Sequence, residues 1–392
     1  MLTPRWGGSD EGGWITRQVA GALAHVADVH VVTPQGSTAG STVDGVFTLH
    51  ELATPLDPVA ELRRDLLLDA FEATSTSAEI VAGPDVAELL DAGLVRPWSG
   101  AVALLDELAP DLVVVAGHRS IGALHALGDA SVRAPYVLLA LAPDDEDAGC
   151  VHFDPLFDGA EAVLAVTEDE RDTLVAHHGR PGAVHRIGAP LAVNPSARTE
   201  PNPWVGDSGY VLVLTGATRS HEKEGGFEAE HELARLIRFR FPDRPVGVSH
   251  PDAFCVWQNG QVSDGWPIER SSDLARLFAF ARLTVDFRPG SLFARRQIES
   301  LLYGAPIVVP HDRRAAEHAR RSGAGLWVDD PADLINGVDA LFDPTVHDTF
   351  VGRGRAYAEE HYGSTSRFVD RVLGACGLDR ARPSTPVVAA PA

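Results

Sequence analysis

The sequence predicts an α/β protein made of two parallel-sheet halves, and three observations carry that prediction. Short apolar runs alternate with amphipathic stretches along nearly the whole chain, the pattern that sets crossover helices between parallel strands. Residues 283–310, LTVDFRPGSLFARRQIESLLYGAPIVVP, spell out one strand–turn–helix–strand unit. A segment with four prolines, 188–207, divides the alternation into two halves and reads as a linker. At 392 residues the chain has room for two domains of ordinary size.

The unit at 283–310 organises the rest. Residues 283–287 form a short apolar run suited to a buried parallel strand, and Pro289 and Gly290 then break the chain. Ser291 supplies an N-cap for a helix whose Ile298, Leu301 and Leu302 share an apolar face. Gly304 stops that helix, and 307–309 form the next buried strand. A helix N-terminus just beyond the carboxyl end of a parallel strand presents free amides and a positive dipole end. The amides of Leu292 and Phe293 are therefore suited to receive a phosphate. Glu299, about two turns further on, is suited to accept a ribose hydroxyl.

The N-terminal residues 1–8, MLTPRWGG, read as the end of a first strand running into a Gly-rich loop. Either the sequence starts inside a longer one or this strand is very short. Gly12 and Gly13 then precede a helix over about 14–27, with Ile15, Val19, Ala22, Leu23 and Val26 at helical spacing. The two glycines serve equally as a plain turn or as a loop where backbone approaches a ligand. Strands at 29–33 and 46–49, a charged helix at 58–72 and helical segments near 84–93 and 98–108 continue the alternation. The apolar strand 111–117 ends at His118, and strand carboxyl ends are where open α/β sheets seat their ligands. Strands follow at 136–141, 163–166 and 184–187; between the last two lies a helix with Thr167 as N-cap and Glu170 completing a capping box.

The second half restarts with a strand at 210–214 and a loop, TGATRSHEKEGG, holding Arg219 and Lys223 beside Glu222 and Glu224. A helix at 228–241 and a strand at 245–249 precede residues 254–273, which read as an edge hairpin turning at Asn259-Gly260. The alternative there is a stacking face for a base, supplied by Trp257 and Trp266. A short helix at 273–280 delivers the chain to the central unit. Beyond it, a basic helix at 313–321 reads as a solvated face, with an acidic acceptor or a weak peripheral membrane contact as its other uses. Helices at 331–342, 345–361 and 364–375 follow, and the Pro/Ala-rich residues 379–392 are expected to be a disordered tail.

The run ESLLYGAPIVV at 299–309, followed by a helix and GAGLWV at 323–328, resembles the donor-binding half of the retaining GT-B glycosyltransferases of family 4, the group 1 glycosyltransferases. The resemblance is strong over 283–328 and loose elsewhere. It implies two Rossmann-like domains with parallel sheets facing across a cleft. One is an acceptor-side domain at 1–190, completed by the C-terminal helix 364–376; the other is a nucleotide-sugar donor domain at 191–363. It also implies a hexosyltransferase-type reaction in which a sugar passes from a nucleotide-diphosphate sugar to an acceptor hydroxyl with retention of configuration, with no metal and no other cofactor. In the family a Glu matching Glu299 holds the ribose, and an Arg and a Lys matching Arg219 and Lys223 clamp the diphosphate. The turn matching Gly290, Ser291, Leu292 and Phe293 also holds the diphosphate. A His matching His118 contacts the donor sugar, and a loop matching Gly12 and Gly13 lines the cleft. A second Glu stands eight positions before the first in the family, near the transferred sugar, and that position here is Ser291. A neutral hydroxyl grips sugar hydroxyls more weakly than a carboxylate does. Two other readings therefore stay open, a non-catalytic GT-B-like nucleotide-binding or partner protein and a nucleotide-sugar epimerase.

Composition narrows the partners. Asp plus Glu number 55 against 33 Lys plus Arg, a net charge of −22, which opposes nucleic acid and anionic lipid. Cys150, Cys255 and Cys376 are far apart and show neither metal-ligand spacing nor a disulfide pattern, which points to a reducing cytoplasm. No leader pattern and no apolar run near about 18 residues is seen, so a spanning segment is not expected. The donor base, the sugar, the acceptor and the oligomeric state are not legible in the sequence.

Overall fold

A computed structural model describes residues 1–3, 11–36, 40–44, 46–53, 98–117, 120–131, 133–141, 154–191, 193, 197, 209–214, 226–249, 253–258, 261–262, 266–267, 271–287, 293–311 and 316–378. The chain forms two compact units, Met1–Ala189 with Ser366–Ala392, and Pro190–Thr365.

The first unit contains the strands β1 (Val29–Gly36), β2 (Gly40–Asp44), β3 (Phe47–Ala53), β4 (Val113–Ala116), β5 (Tyr136–Leu139), β6 (Ala162–Ala165) and β7 (Val184–Arg186). They run in the order β2-β3-β1 on one side and β4-β5-β6-β7 on the other. Leu2 joins the two sets by parallel bridges to Val32 and Val115. Its amide donates to the Val114 carbonyl at 2.7 Å, and the Ala116 amide donates to the Leu2 carbonyl at 2.9 Å. A residue that is 1% exposed thus completes the ladder where a first strand belongs. All pairings are parallel except that of β2 with β3, a strand the sequence pattern did not signal.

Helices α1 (Glu11–Leu23), α2 (Ala101–Leu108), α3 (Ile121–Asp129), α4 (Asp154–Asp158) and α5 (Glu168–His178) belong to the same unit. Val113, Val115, Leu138 and Val163 pack with Leu105, Leu156 and Leu174 in its core, as fully buried parallel strands require. The capping box forms with a shifted partner: the Thr167 hydroxyl accepts from the Glu170 amide at 3.1 Å, while the Glu170 carboxylate accepts from the amide of Val166, one residue before the cap.

The second unit has β8 (Tyr210–Leu214), β9 (Val246–Ser249), β10 (Ala253–Gln258), β11 (Gln261–Val262), β12 (Trp266–Pro267), β13 (Ala281–Asp286), β14 (Ile307–Pro310) and β15 (Gly325–Val328). Their order is β11-β10-β9-β8-β13-β14-β15, with β12 also on β10. The strands from β9 through β15 in this order are parallel. β10 runs antiparallel to β9, and Gln258 pairs with Gln261, so the chain reverses as the Asn259-Gly260 pair predicts.

Around this sheet lie α6 (Gly226–Arg240), α7 (Ser271–Phe280), α8 (Arg295–Tyr303), α9 (Glu317–Ser322), α10 (Pro331–Ala340) and α11 (Pro344–His361). Both faces are covered. Val211 and Val213 enter one core with Ile237 and Leu334, while Tyr210, Leu212 and Leu214 enter another with Leu277 and Phe278. Asp330 caps α10 by accepting from the Ala332 and Asp333 amides at 2.7 and 2.9 Å, and Asp343 caps α11 the same way. Each Asp is followed by a proline at the first helical position. The last helix, α12 (Thr365–Ala375), buries Phe368, Val369, Val372 and Leu373.

The structure corrects several boundaries. Gly12 and Gly13 do not precede α1 but lie within its first turns, and α1 ends at Leu23. Ser291 is not the N-cap of α8. That position is held by Ala294, whose left-handed backbone delays the helix to Arg295, two residues past Phe293. The basic helix contracts to α9, where Glu317 and His318 turn inward and only its arginines keep the solvated character. The helices expected at 58–72 and 84–93 and the tail at 379–392 lie outside the described residues.

Candidate functional site

Each sheet has one place where its strand order changes direction. In the second unit it falls between β8 and β13, whose last residues Leu214 and Asp286 pair in parallel register. The ends of β8 and β13 therefore lie next to each other at this point of the sheet. In the first unit the equivalent place is Leu2 beside β4. From there the chain runs on one side toward Gly12 and Gly13, and on the other through Gly117 to His118. Such switch points are where open α/β sheets bind ligands.

Of the predicted residues, Gly12, Gly13, Phe293 and Glu299 are described; His118, Arg219, Lys223, Gly290, Ser291 and Leu292 lie outside the described residues. The Gly12 carbonyl accepts the Thr16 hydroxyl at 2.8 Å, and Gly13 is buried. The neighbours of His118 form a tight exit from β4. Gly117 adopts φ 82°, its amide donates to the Leu139 carbonyl at 2.8 Å, and the buried Ser120 hydroxyl donates to the Ala116 carbonyl at 2.6 Å.

Glu299 lies on α8, 15% exposed, and its carboxylate is clamped on both oxygens. Arg295 Nε donates to Oε1 at 2.8 Å and Arg296 Nη1 to Oε2 at 3.1 Å. The other face of α8 is tied to the sheet. Gln297 donates from Nε2 to Asp286 at 3.2 Å, at the end of β13. The Ser300 hydroxyl is 2.8 Å from the Ala305 carbonyl and 2.7 Å from the Thr284 hydroxyl; the carbonyl only accepts, so Ser300 donates to it and receives from Thr284.

The entry to α8 is held from behind. Phe293 is buried, and its carbonyl accepts from His318 Nε2 at 3.0 Å, while His318 Nδ1 lies 3.1 Å from the Tyr357 hydroxyl. Because a carbonyl offers no proton, Nε2 carries it and Nδ1 receives the hydroxyl's. At the far end Gly304 closes the helix with φ 81°, and a Cβ there would lie 2.5 Å from the Arg355 guanidinium, which donates to the Tyr303 carbonyl.

Two other groups are assigned by their surroundings. Trp257 is partly buried against the β-sheet core, with the Arg238 guanidinium 5.5 Å from its ring centre. Burial raises the thiol pKa of Cys255, and pushes that of Cys376 up to about 12, so neither is an activated nucleophile. Among the described residues no group of three or more His, Cys, Asp or Glu side chains is disposed to hold a metal ion, and no helix is long and apolar enough to cross a membrane.

Solved structures supply the comparison. The chain is similar to an α,α-trehalose-phosphate synthase (UDP-forming) from Burkholderia vietnamiensis, at 14% identity and a TM-score of 0.63 over 96% of this chain and 99% of that one. It is similar to HepE from Anabaena in complex with UDP-glucose, at 12% identity and 0.61 over 96% and 98%. A sucrose-phosphate synthase from Thermosynechococcus elongatus matches at 13% identity and 0.60 over 93% and 92%. The chain has the GT-B fold. No protein-family model and no curated protein matches it.

Within this GT-B chain, reading the sequence missed four residues of the α8 region. Arg295 and Arg296 carried a usable signal, since they stand four and three residues before Glu299. Asp286 was visible only as a charge within an apolar run. His318 sits in what read as a solvated basic helix, and its inward turn depends on α11, distant in sequence, so no local pattern marks it.

Proposed function

We propose that the chain is a glycosyltransferase of hexosyltransferase type, moving a sugar from a nucleotide-diphosphate sugar to an acceptor hydroxyl with retention of configuration, in the cytoplasm. The observation that carries this reading is the parallel pairing of Leu214 with Asp286, which puts the ends of β8 and β13 together at the switch point of the sheet, with Glu299 on the helix that follows β13. The fold supports it, since HepE, which shares it, was solved with UDP-glucose.

In this reading the second unit is the donor domain, and the first, with α12, is the acceptor-side domain. Two of about four acceptor positions on the Glu299 carboxylate are used by arginines, and the others take ribose hydroxyls. Arg219, Lys223 and the amides after Gly290 offset the charge that grows on the diphosphate as the anomeric C–O bond breaks. His118 contacts the sugar, Ser291 offers a hydroxyl where the resembled family has a carboxylate, and Gly12 and Gly13 line the approach of the acceptor. The scheme draws on no metal and no further cofactor.

A thermal-shift panel of UDP, GDP, ADP and dTDP with their sugar conjugates, run without added metal, tests it. One nucleotide should raise the melting temperature, because a ligand of the folded state stabilises it. Glu299→Ala should weaken that nucleotide by about tenfold. Well-folded protein that responds to none of them refutes the proposal. Ser291 favours a second reading, nucleotide binding without transfer; it predicts the same shift but no release of nucleoside diphosphate from the sugar conjugate in the presence of any acceptor.

A further inference from the structure

We infer that His318 is a positioning residue for the donor diphosphate, and that it acts through the Phe293 carbonyl, which it fixes where the chain enters α8. The inference deepens the reading of this site as a nucleotide-sugar pocket and rests on it. Its starting point is a buried polar side chain whose partners are both distant in sequence. His318 is 1% exposed. Its Nε2 donates to the Phe293 carbonyl at 3.0 Å, and its Nδ1 receives the hydroxyl of Tyr357, on α11, at 3.1 Å. A hydroxyl that fixes one ring nitrogen as acceptor leaves the other as donor, so Tyr357 sets the tautomer that Phe293 needs.

What this bond holds is a backbone that local preference would not keep. Ala294, the next residue, has φ 48° and ψ 44°, a state that an alanine retains only where its surroundings impose it. The Phe293 ring is buried edge-on to Tyr362, with centroids 5.5 Å apart, so the residue is gripped by its side chain as well as by its carbonyl. The body of α8 is anchored elsewhere. Gln297 reaches Asp286, and Ser300 reaches Thr284 and the Ala305 carbonyl, all of them in or beside the sheet. Two anchors therefore serve two parts of one site. The sheet contacts place Glu299, which the proposed reading gives to the ribose, and His318 places the chain just before α8, which that reading gives to the diphosphate. A histidine kept only to fill the core would affect both parts alike.

The test is equilibrium titration of the full chain with a nucleoside diphosphate, its base chosen by the thermal panel, and with the matching nucleoside. His318→Phe keeps a ring but removes the donor; it should lower diphosphate affinity by about tenfold and change nucleoside affinity by less than about twofold. His318→Gln, whose amide can donate from nearly the same place, should recover most of the loss. Tyr357→Phe, which frees the tautomer, should lower diphosphate affinity by about fivefold with the same selectivity, and it carries the comparison if His318→Phe does not fold. Val338→Ala opens a cavity in the core that holds Ile237 and Leu334 and leaves these bonds intact, so it should melt lower yet bind both ligands as wild type does. Equal losses for nucleoside and diphosphate, a Gln variant as weak as the Phe variant, or unchanged affinities would each overturn the inference alone. A wild-type chain that binds no nucleotide overturns the proposed function, and the inference with it.

Discussion

Ala294 enters α8 with φ 48° and ψ 44°, a backbone state that costs an L-residue roughly 1–2 kcal/mol and that glycine reaches freely. It is also 5% exposed, so removing its methyl gives back part of what the relieved strain returns. Ala294→Gly should therefore stay within about 1 kcal/mol of wild type, whereas Ala294→Val, branched and buried, should lose about 2 kcal/mol or more. Urea denaturation midpoints separate the two. A second residue-scale effect lies in the first unit, where His30 Nδ1 and His50 Nε2 are 2.9 Å apart and the rings stack. Burial, and then the charge His30 can carry, lower the pKa of His50 below its ordinary 6.5; Glu107 offsets this in part. The folded chain thus binds that proton less readily than the unfolded chain does. The stability tied to His50 is complete above 6.5 and is lost as pH falls through the folded value. His50→Gln should flatten the acid side of a stability–pH curve, and an unchanged curve would locate the effect elsewhere.

At the scale of elements, α8 shows which contacts fix a helix between a sheet and a site. Its apolar and hydroxyl face is anchored by Ile298, Ser300 and Leu301, leaving Arg295, Arg296 and Glu299 on the other side. Its ends depend on two left-handed residues, Ala294 and Gly304. The stop was legible because glycine is the residue expected there, and the start was not, because an alanine gives no sign of such a conformation. The caps Thr167, Asp330 and Asp343 and the hairpin between β10 and β11 were legible or follow local rules, since one to three residues make each of them. Close approach is different. A Cβ on Gly325, in β15, would meet Ala319 Cβ at 2.6 Å and Ile307 Cγ1 at 2.7 Å, contacts from α9 and β14 that cannot swing aside. Gly325→Ala should cost about 2–3 kcal/mol, read as a fall in the urea midpoint, and no fall would show that α9 can shift.

At the scale of the molecule, the chain leaves its first unit at Ala189 and rejoins it at Ser366. The returning helix α12 buries four apolar side chains, each contributing about 1.5–3 kcal/mol, together comparable with the net stability of a whole domain at about 5–15 kcal/mol. Residues 1–190 expressed alone should melt well below the same residues supplemented with a peptide spanning 364–378; equal melting would show that the unit stands without α12. The sequence by itself determined the α/β class, the two-part division and most described strands and helices. These follow from periodicities of two and 3.6 residues, from apolar runs long enough for a buried strand, and from caps within a few positions. It also marked Glu299, through a run whose spacing is local. Only the tertiary structure decided that Leu214 and Asp286 lie side by side, that Leu2 closes a sheet between strands 30 and 113 residues away, and that His318 faces Phe293. Strand order and inward rotation depend on burial against distant segments, and a window of sequence contains no term for those contacts.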